Sequence, residues 1–136
     1  MRRLRFPLFP APLRWVGVAA VAAVIVYFSL FATPPAAPPQ PGIGSIWDKK
    51  LHFAAYLGLG LALAYATATS RDEPARRALL VFVGAVAFGV LVEVLQGPLP
   101  NRYFSYGDML ADAVGALLAT GWFLVESRLD YVQLPR

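Results

Sequence analysis

The sequence holds no cysteine and a single histidine. Without a thiol, a disulfide scaffold, a thiolate metal centre and a cysteine nucleophile are all excluded. One histidine is too few for lipid-phosphatase chemistry of the two-histidine kind. Neither an HExxH motif nor a phosphate-cradling glycine loop is present. A serine–histidine membrane protease needs its nucleophile on a strained turn. Ser45, in Gly42-Ile43-Gly44-Ser45, sits instead beside a proline-rich stretch. Charge is scarce as well: 15% of the 136 residues are charged, where a soluble domain carries about 25%. Too few polar side chains remain to cover a water-facing surface.

Apolar sequence is what the chain has in quantity. Hydrophobic residues make up 58% of it, and the mean hydropathy is +0.57. Four runs carry almost no charge: Trp15–Ala32, Phe53–Thr69, Ala78–Leu95 (charged only at Glu93) and Met109–Val125 (only at Asp112). As a helix, each is about long enough to cross ~30 Å of hydrocarbon at ~1.5 Å per residue. The expected fold is all-α: a polytopic membrane protein, one domain over residues 1–136, built as a four-transmembrane-helix bundle. Arg2, Arg3 and Arg5 before the first run resemble the start of a secretory signal. That run, however, exceeds the usual ~7–15 residues, and Pro34-Pro35 stands where cleavage would occur, so a retained span is expected.

Lys and Arg set the expected orientation. The N-terminal tail, the second loop and the C-terminal tail together hold nine (Arg2, Arg3, Arg5, Arg14; Arg71, Arg76, Arg77; Arg128, Arg136), against three (Lys49, Lys50, Arg102) in the other two loops. Both termini are therefore expected in the cytoplasm. Trp15 and Trp122 would mark the inner boundary, and Trp47, Tyr103 and Tyr106 the outer one. The +4 net charge then reads as topology and contact with anionic membrane lipids, not as nucleic-acid binding. Residues 33–47, with Pro34, Pro35, Pro38, Pro39 and Pro41, predict an extended linker across the outer face. The short Ser70–Arg77 loop makes the second and third spans antiparallel neighbours.

With this topology the polar side chains collect at the outer end. Asp48, Lys49, His52, Glu93, Gln96, Arg102, Ser105, Asp108 and Asp112 are the candidate ligand-binding residues. Asp48, His52 and Tyr56 recur at every fourth position and share a helix face; Asp108 and Asp112 do the same. Small-residue stripes continue each set (Ala54-Gly58-Ala62-Ala66, Ala85-Gly89, Ala111-Gly115-Ala119) and predict where helices approach one another. A carboxylate facing lipid costs about 2.5–3.5 kcal/mol, so Glu93 and Asp112 need partners or a proton. Pairing of Lys49 or Arg102 with Glu93, and of Arg102 with Asp108 or Asp112, would satisfy them and tie three helix ends together. Alternatively Lys49 and Arg102 would hold an anionic envelope lipid or glycan precursor, with Asp48, His52, Glu93 and Asp108 orienting it. His52 with Asp48, Glu93, Asp108 or Asp112 has the ligand types of a zinc or harder divalent site and of a metal-dependent hydrolase. No metal or cofactor is assigned on that basis. A non-catalytic assembly subunit, docking through its small-residue faces and proline linker, is the remaining alternative.

Asp48-Lys49-x-x-His52-x-x-x-Tyr56, then Glu93-x-x-Gln96, then Arg102-x-x-Ser105-x-x-Asp108-x-x-x-Asp112-x-x-Gly115 resembles the VanZ-like family of small bacterial and archaeal membrane proteins. The resemblance covers about half the chain, from Asp48 to Gly115. Asp112 stands where the family usually has Asn; a carboxylate there binds a cation or accepts from a donor, whereas an amide also donates. The resemblance implies a multi-span protein of the cell envelope. The family's founding member is linked to low-level resistance to the glycopeptide teicoplanin. An enzyme activity is not implied.

Overall fold

The computed structural model describes residues 3–32, 46–70, 72–100, 102 and 104–134. The linker expected at 33–47 lies outside the described residues, apart from Ile46 and Trp47, which open a helix. Strand β1 (Leu4–Leu8) leads into helix α1 (Ala11–Val26), which runs on as a wider π-helical turn over Tyr27–Phe31. Helices α2 (Ile46–Ala66), α3 (Pro74–Gln96) and α4 (Tyr106–Ala119) follow, then α5 (Trp122–Glu126) and strand β2 (Leu129–Gln133). Most of the described chain is helical.

Local chemistry sets these bounds. Prolines open α1 and α3, in first turns whose N–H groups have no intrahelical acceptor. Ser105 caps α4, its Oγ accepting from Asp108 N at 3.2 Å. Between α4 and α5 the chain stays right-handed, with Thr120 N–Leu117 O at 3.1 Å and Gly121 N–Leu118 O at 3.0 Å. The two therefore form one rod over 106–126. At the end of α2, Thr67 Oγ1 donates back to Leu63 O at 2.9 Å and the chain tightens into a 3₁₀ turn over Ala68–Ser70. The helix thus stops short of the expected Thr69. Elsewhere helices exceed the apolar runs, because a run marks hydrocarbon-compatible side chains while the hydrogen-bond ladder continues to a cap or a proline.

Among the described residues, three helical segments are long and apolar enough to cross a membrane: Ala11–Phe31, Pro74–Gln96 and Tyr106–Glu126. Helix α2 has comparable length, 21 residues, but opens on Asp48, Lys49 and Lys50. That polar turn confines its apolar part to Leu51–Ala66.

The all-α expectation fails at the chain's ends. β1 and β2 pair in parallel, from Leu4 opposite Leu129 to Leu8 opposite Gln133. Two strands alone are marginal, and side chains pin these down. Phe6 meets Tyr65, Trp122 and Tyr131 edge-on, with ring centroids 5.8–6.1 Å apart. Tyr65 donates its hydroxyl to Pro7 O at 2.9 Å and accepts from Phe9 N at 3.0 Å. The strands pair across nearly the whole chain, so no local hairpin signal announces them.

Burial is inverted relative to a water-soluble domain. Leu79 and Leu124 are 62% and 76% exposed, while Glu93 and Asp112 are 1% and 2% exposed. Helix α2 lies against α4 so closely that a Cβ on Gly115 would strike the Phe53 carbonyl oxygen, and one on Gly60 the Ala119 methyl. The stripes on α3 and α4 do pack, with Ala85, Gly89, Gly115 and Ala119 buried. Of the Ala54-Gly58-Ala62-Ala66 stripe only the last member is buried: Ala54 is exposed, and a Cβ on Gly58 would meet nothing within 4 Å. α2 turns Tyr56, Gly60 and Ala64 inward instead, because Tyr56 fills the space beside Gly89.

Candidate functional site

At the end of the bundle away from the ribbon, the start of α2 meets the start of α4 and the end of α3. Their polar side chains interlock. Lys49 Nζ donates to Asp108 Oδ1 at 2.8 Å, and His52 Nδ1 contacts Asp112 Oδ1 at 2.9 Å. His52 Nε2 lies 3.9 Å from Asp108 Oδ2. Glu93 Oε2 accepts from Ser105 N at 3.0 Å, which ties α3 to the cap of α4. With Asp48, which has a ligand atom within 4.8 Å of those of His52 and Asp108, the residues Lys49, His52, Glu93, Ser105, Asp108 and Asp112 form one cluster.

Gln96 and Arg102 turn towards α1 rather than towards the carboxylates. Gln96 Nε2 donates to Ser29 O at 2.9 Å, and Arg102 Nη2 to the carbonyls of Phe28 and Ala32, each at 2.7 Å. The expected pairs of Arg102 with Glu93, Asp108 or Asp112 are therefore replaced by bonds to backbone oxygens. The π-helical end of α1 leaves carbonyls without intrahelical donors, and the guanidinium fork supplies them. Lys49 likewise serves Asp108 and not Glu93.

Beside the cluster lies a cavity of about 470 Å³. One wall is apolar, with Val24, Ile25, Phe28 and Leu51; the other presents Asp48, His52, Tyr56, Gln96 and Arg102. Three buried oxygens at this end of the bundle lack hydrogen-bond partners among the described residues: Tyr56 Oη, which lines the cavity, and Glu93 Oε1 and Asp112 Oδ2. The α1 wall carries no charged side chain to betray it in the sequence; Ser29 is its polar residue. Tyr56 is legible only through its helix-face spacing from Asp48 and His52.

A second buried polar group sits at the ribbon end. Arg77 makes a two-pronged bond to Glu126 (2.6 and 3.1 Å) and donates to Ala64 O at 2.7 Å. Tyr131 donates to Glu126 Oε1 at 2.8 Å. Burial, reinforced by this bond, holds the Tyr131 phenol above its ordinary range, so it stays protonated as a donor. Arg14 Nη1 donates to Tyr65 O and Ala66 O, both at 2.9 Å. Arg14 and Arg77, counted in the sequence as charges marking the inner side, are thus also interior clamps on helix ends. No protein-family model, curated protein or solved structure matches the chain.

Proposed function

We propose that the chain is a four-span membrane protein of the VanZ-like type that binds a polar cell-envelope component in the cavity beside His52. The single observation carrying this reading is the cavity's two-sided lining. At about 470 Å³ it falls in the range of small-molecule pockets. Its apolar α1 wall suits an acyl or prenyl chain, and its Asp48–His52–Arg102 wall suits a headgroup. With the nine-cation side in the cytoplasm, both termini lie inside and the cavity faces the envelope. An anionic lipid headgroup or lipid-linked glycan precursor fits this lining; nucleic acid does not.

Removing Arg102 or Glu93 is a poor test, since Arg102 holds the end of α1 and Glu93 the start of α4. Ala55→Trp is cleaner: Ala55 lines the cavity and forms none of the polar contacts. The purified chain in detergent should retain phosphatidylglycerol in native mass spectrometry. Ala55→Trp should weaken that retention by about tenfold or more, ~1.4 kcal/mol. Equal retention by both proteins would remove the cavity as the binding site.

A further inference from the structure

We infer that Asp48, His52 and Asp108 form a divalent-cation site, best suited to zinc, whose open side faces the cavity. The inference goes beyond the binding of an envelope component and stands without it. One ligand atom from each of the three residues lies within 4.8 Å of the other two. Around a tetrahedral zinc with bonds of about 2.0–2.2 Å, such atoms sit closer still. The 3.9 Å between His52 Nε2 and Asp108 Oδ2 needs to close by only a few tenths of an ångström. Asp48 is exposed and free to swing in.

The protonation of His52 is set by its neighbour. An ionised Asp112 only accepts, so in the 2.9 Å contact His52 Nδ1 carries the proton and donates. A neutral ring then turns the bare lone pair of Nε2 towards Asp108. A buried carboxylate behind a histidine is the arrangement that orients and strengthens metal-ligating imidazoles. Asp108 divides its oxygens in the same sense: Oδ1 is taken by Lys49 at 2.8 Å, while Oδ2 faces His52.

An independent observation is the shortage of positive charge. Four carboxylates (Asp48, Glu93, Asp108, Asp112) cluster with one histidine, and among the described residues the ammonium bonded to them is Lys49, on Asp108. Glu93 and Asp112, both at least 98% buried, each keep one carboxylate oxygen without a hydrogen-bond partner among the described residues. Such oxygens are costly in a low-dielectric interior unless a cation or proton offsets them. Asp48 and His52 line both the ligand cluster and the cavity, so the remaining coordination positions open towards it.

The probe is zinc chloride added to the full-length chain in detergent after chelation and desalting, with no lipid ligand present. Calorimetry should give one zinc per chain, with magnesium binding far more weakly. His52→Ala and Asp108→Asn should abolish binding. Asp112→Asn should weaken it by roughly 10–100-fold, since it only positions the ring. Because zinc is added with no lipid present, a wild-type chain that binds zinc but retains no phosphatidylglycerol fails only the envelope-ligand reading. Should the variants not fold, cobalt bound to the wild-type chain must show the intense visible bands of low-coordinate geometry. No stoichiometric zinc, no such cobalt bands, or unchanged affinity in folded His52→Ala overturns the site.

Discussion

Two buried residues near the ribbon show how far single side chains control this fold. Arg77 and Glu126 are 2% and 3% exposed and bonded to each other. Breaking a buried pair from one side strands the other charge, at a cost of about 3–5 kcal/mol. Glu126→Gln is therefore predicted to lower stability in detergent by about that amount, read by thermal or denaturant unfolding. The double variant Arg77→Met with Glu126→Leu should recover most of the loss, because no charge is left behind. Tyr56→Phe should behave oppositely. It deletes a buried hydroxyl that has no partner among the described residues, so stability should hold or rise by about 1 kcal/mol. A clear fall would show that Tyr56 Oη is engaged. The contrast explains what the sequence could carry at this scale. His52, Asp108 and Asp112 are legible because ionisable groups at apolar helix ends are rare enough to demand a reason. Arg77 and Glu126 lie among or beside ordinary loop charges, and only the fold distinguishes a clamp from a solvated arginine.

For helices, legibility depended on whether a pattern needed a partner to interpret it. Of the four apolar runs expected to span, three lie on helices long and apolar enough to cross a membrane, and proline and serine marked where two helices begin. The small-residue stripes were ambiguous, because smallness permits close approach on a face without choosing that face. On α4 the stripe packs; on α2 only its last member is buried, since bulky Tyr56 had to occupy the gap beside Gly89. Two glycines on these helices give matched tests. Gly115→Ala places a methyl against the Phe53 carbonyl, a backbone atom that cannot move alone, and overpacking of this kind costs about 1–3 kcal/mol. Gly58→Ala meets nothing within 4 Å and should gain about 0.5–1 kcal/mol from reduced chain entropy. Comparing the two unfolding curves checks the α2–α4 crossing directly. Equal effects would mean the helices meet on some other face.

At the scale of the whole molecule, the small ribbon constrains how the chain can sit in a bilayer. Among the described residues three segments are long and apolar enough to cross, an odd number. If only those crossed, β1 before the first and β2 after the last would end on opposite sides of the membrane. They are hydrogen-bonded to each other from Leu4 through Leu8, which fits the four-span reading proposed above, with α2 as the fourth crossing. Its polar first turn explains why hydropathy alone passes over it: Asp48 and Lys50 are exposed, and Lys49 is held by Asp108 on α4. The absence of cysteine makes the consequence measurable with single introduced thiols and a membrane-impermeant maleimide. Lys50→Cys and Tyr106→Cys should react in intact cells, whereas Ser70→Cys and Asp130→Cys should react only after lysis. Labelling at Lys50 and Ser70 from the same side would mean that α2 does not cross, and the ribbon could not then form in the membrane. Labelling inverted at all four positions would keep the even count but turn the His52 cluster towards the cytoplasm, removing the envelope as the source of its ligand.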